Sequence, residues 1–179
     1  MRCTWRAAGL AGLLILSSCR PDPPYYPIPE QQRPLTFSEA TGLLPFIEMN
    51  APEAPEHFVA DISPVLEAGT WRWTGERPTL RLGASHIQRP KLVMDLAVPE
   101  VTFRDTGPVT VTIYINDQFF ERVRYTTPGN KHFEAPVPRQ LLEVAEETTL
   151  RMVVHPPWVA PTDGNRLGVI LIRAGFVEQ

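Results

Sequence analysis

From Trp71 to the C-terminus, apolar residues recur at every second position. Successive strand side chains point to opposite faces, so a period of two predicts strands with one buried and one outward face. The clearest run is 109–116, where Val109, Val111, Ile113 and Ile115 are expected inside and Thr110, Thr112 and Tyr114 outside. β-branched residues dominate it, as a half-buried pleated surface favours. Leu92, Met94, Leu96 and Val98 alternate with Val93, Asp95 and Ala97, and Leu80 and Leu82 with Thr79 and Arg81. Leu150, Met152 and Val154 alternate with Arg151 and His155, and Phe133, Ala135 and Val137 begin another strand. Trp71 and Trp73 share one strand face, and Leu167–Phe176 is apolar enough for a central strand.

Turn chemistry separates these runs. Asn116-Asp117 predicts a tight hairpin because both residues tolerate positive φ, and Pro128-Gly129-Asn130 is a second turn. Arg139 to Ala145 reads as a short helical turn. No helical pattern alternates with the strands, which excludes doubly wound and α/β-barrel folds. The expectation is an all-β fold, an antiparallel, jelly-roll-like β-sandwich of about eight strands, spanning 69–179.

The chain upstream is organised differently. Segment 35–68 is interrupted by Pro52, Pro55 and Pro64, with at most a helical turn opened at Ser38–Gly42. It is expected to be irregular and to pack on the domain, and its His57 has no ligand-spaced partner. Residues 20–34, RPDPPYYPIPEQQRP, form a Pro-rich tether expected to be extended and semi-rigid, with Tyr25 and Tyr26 as linker aromatics.

The first nineteen residues, MRCTWRAAGLAGLLILSSC, place Arg2 and Arg6 before the apolar stretch Ala7–Leu16. That stretch is too short to span a bilayer, which takes about 20 residues. Leu16-Ser17-Ser18-Cys19 follows and resembles the lipobox of bacterial lipoproteins. The resemblance implies a signal peptide over 1–18, cleavage between Ser18 and Cys19, and acylation of Cys19 with palmitate-like chains. It implies anchoring to a membrane through those chains, since two or three acyl groups hold durably where one does not. Arg20, rather than Asp, follows the cysteine. By the family's sorting pattern this implies the outer membrane of the bacterial cell envelope.

Composition narrows the rest. Loss of Arg2 and Arg6 leaves 15 Lys+Arg against 20 Asp+Glu, a net charge of −5, without a basic cluster. Nucleic acid is therefore excluded as a partner, because a phosphate backbone needs a dense basic footprint. Both cysteines, Cys3 and Cys19, lie before the tether, so no internal disulfide can staple the domain.

No grouping of catalytic type is legible. Ser85-His86 are neighbours, which on a strand point apart, and no Gly-x-Ser-x-Gly elbow occurs. His57, His86, His132 and His155 are scattered without metal-ligand spacing. Asp163-Gly-Asn165 has oxygen ligands suited to Ca²⁺, but Asp, Gly and Asn are also what an ordinary turn needs, and the turn reading is preferred. Asp95, Glu100, Asp105, Glu121 and Asp163 are carboxylates with nothing in the sequence to fix a catalytic pair. No cofactor, metal or enzymatic activity is expected.

The aromatics admit two readings. Trp71, Trp73 and Trp158 suit a platform for a sugar ring, but the first two are read as core, because Trp buries a large area. Trp158 sits among Pro156, Pro157 and Pro161, near Asp163, Asn165 and Arg166. These four, Trp158, Asp163, Asn165 and Arg166, are the candidate ligand contacts; Trp158 serves equally as a plug for the end of the sandwich, and Arg166 as a partner for a carboxylate.

The blocks Gly69-Thr-Trp71-Arg-Trp73-Thr-Gly, Val109-Thr-Val-Thr-Ile-Tyr-Ile-Asn-Asp and Pro156-Pro-Trp158…Asp163-Gly-Asn-Arg166-Leu-Gly168-Val169 occur in order. Together they resemble bacterial β-sandwich domains of galactose-binding-like or carbohydrate-module-like shape. The resemblance implies a non-catalytic envelope lipoprotein that binds glycan or an envelope protein. The alternatives are a structural accessory subunit of an envelope assembly and, behind it, a hydrolase.

Overall fold

The computed structural model describes residues 42–143 and 146–179. The lipobox residues Leu16, Ser17, Ser18 and Cys19, the tether and residues 38–41 of the expected Ser38–Gly42 turn lie outside the described residues.

The fold is the expected all-β antiparallel sandwich. Strands β1 (Phe46–Glu48), β2 (Phe58–Ile62), β3 (Arg72–Leu82) and β4 (Pro90–Val98) precede a short helix, α1 (Glu100–Thr106). Then come β5 (Val109–Ile115), β6 (Gln118–Tyr125), β7 (Gly129–Pro136), β8 (Thr148–His155), β9 (Trp158–Val159), β10 (Arg166–Leu167) and β11 (Ile170–Glu178). The main sheet runs β6-β5-β8-β3-β11-β4-β7, with β1 added to β11 and β2 to β3. β9 and β10 form a separate two-stranded ribbon.

The sheet curls at β3. One half is β6-β5-β8-β3 with β2, and the other is β11-β4-β7 with β1. Their inner faces supply one core: Leu92, Met94 and Leu96 from one half and Val111, Ile113, Leu150 and Met152 from the other are fully buried in a single cluster. The alternation read along 92–98, 109–115 and 150–154 is the alternation observed, except that Thr112, on the outward face of β5, is also buried. Asn116 and Asp117 take φ of 48° and 62°, which makes the β5–β6 turn.

The structure departs from or adds to the sequence reading at three places. Segment 35–68 is not irregular beyond Pro45: β1 pairs with β11 and β2 with β3. These strands are too short for a periodic pattern, and their hydrogen-bonding partners lie far along the chain. The segment also holds a 3-10 turn, Ala54–His57, which buries His57 with its Nδ1 2.9 Å from the Arg81 carbonyl oxygen. Secondly, Glu100–Thr106 is a helix, closed by Gly107 at φ 73°. Thirdly, Trp71 and Trp73 are not core. β3 buries Arg72, Thr74, Pro78, Leu80 and Leu82, so strand alternation turns both tryptophans to the outer face, where they are half-buried.

Arg72 tolerates its interior position because its donors are used. Its Nε donates to Met49 O at 2.9 Å, and its Nη1 donates to Ser63 O at 3.3 Å and Pro64 O at 2.5 Å. Its guanidinium also lies 5.2 Å from the centre of the Phe58 ring. One side chain thereby ties the ends of β1 and β2 to β3.

Candidate functional site

The outer face of the β1-β11-β4-β7 half carries the most organised polar surface in the described residues. Register puts Glu48, Arg173, Asp95 and His132 in one row across its four strands. Asp95 is central. Its Oδ2 accepts from Arg173 Nε at 2.5 Å, and its Oδ1 is 2.5 Å from His132 Nδ1. The chain of charges continues through His132 Nε2, 3.6 Å from Glu134 Oε2, to Lys91 Nζ, which donates to Glu134 Oε2 at 2.9 Å.

The network sets the protonation of its members. Burial pushes the Asp95 carboxyl up, but the hydrogen bonds and charges of His132 and Arg173 outweigh it and leave the carboxyl below its usual range. The hydrogen bond to Asp95 raises His132 above the ordinary imidazole value, and Lys91 lowers Glu134. Two clefts flank Asp95, one of about 350 Å³ bordered by Asn130, Lys131 and His132, the other of about 270 Å³ bordered by Glu48, Asn50, Thr70 and Arg173. Ile172, the extra residue where β11 bulges against β4, lines both.

At the end of this face stand the three tryptophans. Trp73 pairs with Ile170 on β11, which places it on the same outer surface. Trp71 meets Trp73 edge-on at 6.0 Å, and Trp73 stacks on Trp158 at 6.5 Å with 19° between the planes. Trp158 is oriented from α1: its Nε1 donates to Asp105 Oδ2 at 2.9 Å. That bond, with a second from Arg104, holds the Asp105 carboxyl below its usual range. Thr70, next to Trp71, borders the 270 Å³ cleft, so the aromatic cluster and the charged row adjoin.

The sequence-derived contacts are only partly brought together. Trp158 joins the cluster. Across the β9–β10 ribbon Leu167 pairs with Trp158, and Arg166 pairs with Val159, so alternation puts Arg166 on the other face, where it binds Glu76 at 3.1 Å. Asp163 and Asn165 are exposed in the β9–β10 turn and bond one another: Asn165 N donates to Asp163 Oδ1 at 3.0 Å and its Nδ2 donates to Oδ2 at 2.7 Å. That is an Asx turn, the structural role the sequence suggested. Ser85 and His86 are exposed in a loop. Among the described residues, no three His, Cys, Asp or Glu side chains gather in a metal-binding group.

Sequence reading missed Asp105 as the partner of Trp158 and missed the Arg173–Asp95–His132 row. The first contact spans 53 residues and leaves no local trace. The second had a signal: Asp95 is a charge at an outward position in the middle of the apolar run Leu92–Val98.

No protein-family model matches the chain, and no curated protein does. Solved structures resemble it in fold. A family 35 carbohydrate-binding module from an environmental isolate is 12% identical at TM-score 0.45, over 75% of this chain and 93% of that one. A family GH115 4-O-methyl-α-glucuronidase with specificity for decorated arabinogalactans is 11% identical at TM-score 0.46, over 76% of this chain and 18% of that one. A family 51 carbohydrate-binding module solved with GlcNAc, from Clostridium perfringens, is 10% identical at TM-score 0.37, over 76% of this chain and 28% of that one.

Proposed function

We propose that this protein is a non-catalytic glycan-binding β-sandwich displayed in the bacterial cell envelope on an N-terminal lipid at Cys19. The observation that carries the binding half is the half-buried cluster Trp71–Trp73–Trp158 beside the clefts around Asp95. Indole rings supply flat apolar surface for the C–H face of a sugar, and charged groups held by one another supply hydrogen bonds of fixed direction. Two of the carboxylates weighed as catalytic, Asp95 and Asp105, are held below the usual range. Neither therefore fits the general acid of a glycosidase, which needs a raised value.

The test is glycan-array binding followed by titration, using the full chain in neutral detergent. The wild type retains at least one glycan. Trp158→Ala weakens it about tenfold or more, and Trp158→Phe, which keeps a ring, weakens it less. A wild type that retains no glycan overturns the reading; if it co-purifies with an envelope protein instead, the accessory-subunit reading replaces it. The address is tested separately. Cys19→Ala abolishes palmitate labelling and moves the protein out of the membrane fraction, and unchanged labelling refutes the anchor.

A further inference from the structure

The outer face of the other half of the sheet holds a different surface. Thr110 and Thr112 of β5, Arg122 and Arg124 of β6 and His155 of β8 line a depression of about 490 Å³. Register puts them together: Thr110 pairs with Arg124 on one side and His155 on the other, and Thr112 pairs with Arg122. Val109, Val111 and Ile113 face the core, so these five side chains share the outward face. Arg122 Nε donates to Thr112 Oγ1 at 3.3 Å.

Among the described residues, no carboxylate forms an ion pair with Arg122, Arg124 or His155. The adjacent acid, Glu121, is engaged by the Arg122 backbone N–H at 2.9 Å. Elsewhere on the outer faces Lys91 is paired with Glu134, Arg151 with Asp117 and Arg173 with Asp95. Two guanidiniums two residues apart on one face, about 7 Å along the strand, repel unless an anion lies between them. Guanidinium forks and hydroxyls are the donors that hold carboxylate, sulfate or phosphate oxygens.

Further along the same face is an apolar end. Tyr114 and Phe119 meet edge-on at 6.2 Å, Arg151 lies 4.3 Å over the Tyr114 ring, and Phe119 is 58% exposed. Tyr114 is four residues from Thr110, about 13 Å along the strand. We infer that this face binds an anionic polysaccharide, its oxyanion on Arg122, Arg124 and His155 and a neighbouring sugar ring on Phe119. The five residues of the depression lie on β5, β6 and β8, whereas Trp73 lies on β3 and Trp158 on β9, so the two surfaces share no residue.

The experiment is titration of the full chain in neutral detergent with polygalacturonate, dextran sulfate and uncharged dextran. At least one charged polymer binds and dextran does not, and the two charged polymers tell carboxylate from sulfate recognition. Raising salt from about 50 to about 500 mM weakens binding, as screening requires. The Arg122→Gln/Arg124→Gln double variant weakens it roughly tenfold or more, and Arg122→Lys/Arg124→Lys recovers part of it. Arg77→Gln, an exposed arginine outside the depression, has no such effect, which separates the site from bulk charge. Equal binding of dextran, no binding of either charged polymer, the same loss with Arg77→Gln, or binding only to anionic phospholipid vesicles overturns the proposal. The two surfaces fail separately, because Trp158 variants read the first and the arginine pair reads the second.

Discussion

At the scale of the residue, the outer and inner faces use charge in opposite ways. Arg72 is 6% exposed, and its interior place depends on the Met49, Ser63 and Pro64 carbonyls. Arg72→Ala leaves those acceptors short of donors and empties space beside Phe58. It is expected to lower stability by about 3 kcal/mol, measured by urea unfolding. Arg72→Lys recovers only part, since an ammonium cannot reproduce the fork. His132 is exposed, and its role is read by titration. Its raised value means that its contribution is full below the ordinary 6.5 and fades as pH rises through the raised value. Asp95 has the opposite sign: its contribution is full above the ordinary 3.8 and fades as pH falls through the lowered value. The row is therefore tightest between the two. NMR titration of His132 places its midpoint above 6.5 in the wild type, and Asp95→Asn moves it down towards that value.

At the scale of the element, β3 and the segment before β11 show how close backbones position the tryptophans. Thr74 N and its Oγ1 both donate to Val169 O at 2.9 Å, Val169 N donates back to Thr74 Oγ1 at 3.0 Å, and Gly168 N donates to Thr74 O at 2.8 Å. A Cβ on Gly168 would stand 2.2 Å from Gly75 O and 2.8 Å from Thr74 Oγ1. Gly168→Ala must therefore push β10 and its partner β9 off β3. We expect a loss of about 2 kcal/mol in denaturant unfolding and a red shift in tryptophan fluorescence as the Trp73–Trp158 stack opens. β3 also explains why the tryptophans were misread. Reading the rings as core rests on the large area that Trp buries and leaves out the face that Leu80 and Leu82 fix for the whole strand. β3 is one strand, and Leu80 and Leu82 share their face with Arg72 and Thr74. Pro78 is accommodated between Thr74 and Thr79, where the register of β2 against β3 slips and no ladder N–H is required of it.

At the scale of the whole molecule, β3 belongs to both halves of the curled sheet, and one buried cluster joins them. Neither half keeps a core without the other. Thermal unfolding followed by tryptophan fluorescence, which reports the neighbourhood of the Trp71–Trp73–Trp158 cluster, and by far-UV circular dichroism, which reports the strands of both halves, should give coincident transitions. Two separate midpoints would show that the halves unfold independently. The sequence by itself determined the inward rows on β4, β5 and β8 and the hairpin at Asn116-Asp117, because alternation and positive φ are local demands. Tertiary structure alone decided that β1 and β2 are strands, that Trp158 points at Asp105, and that Arg166 turns away to Glu76. Those outcomes depend on partners tens of residues distant, chosen by backbone pairing and by the shape of the shared core.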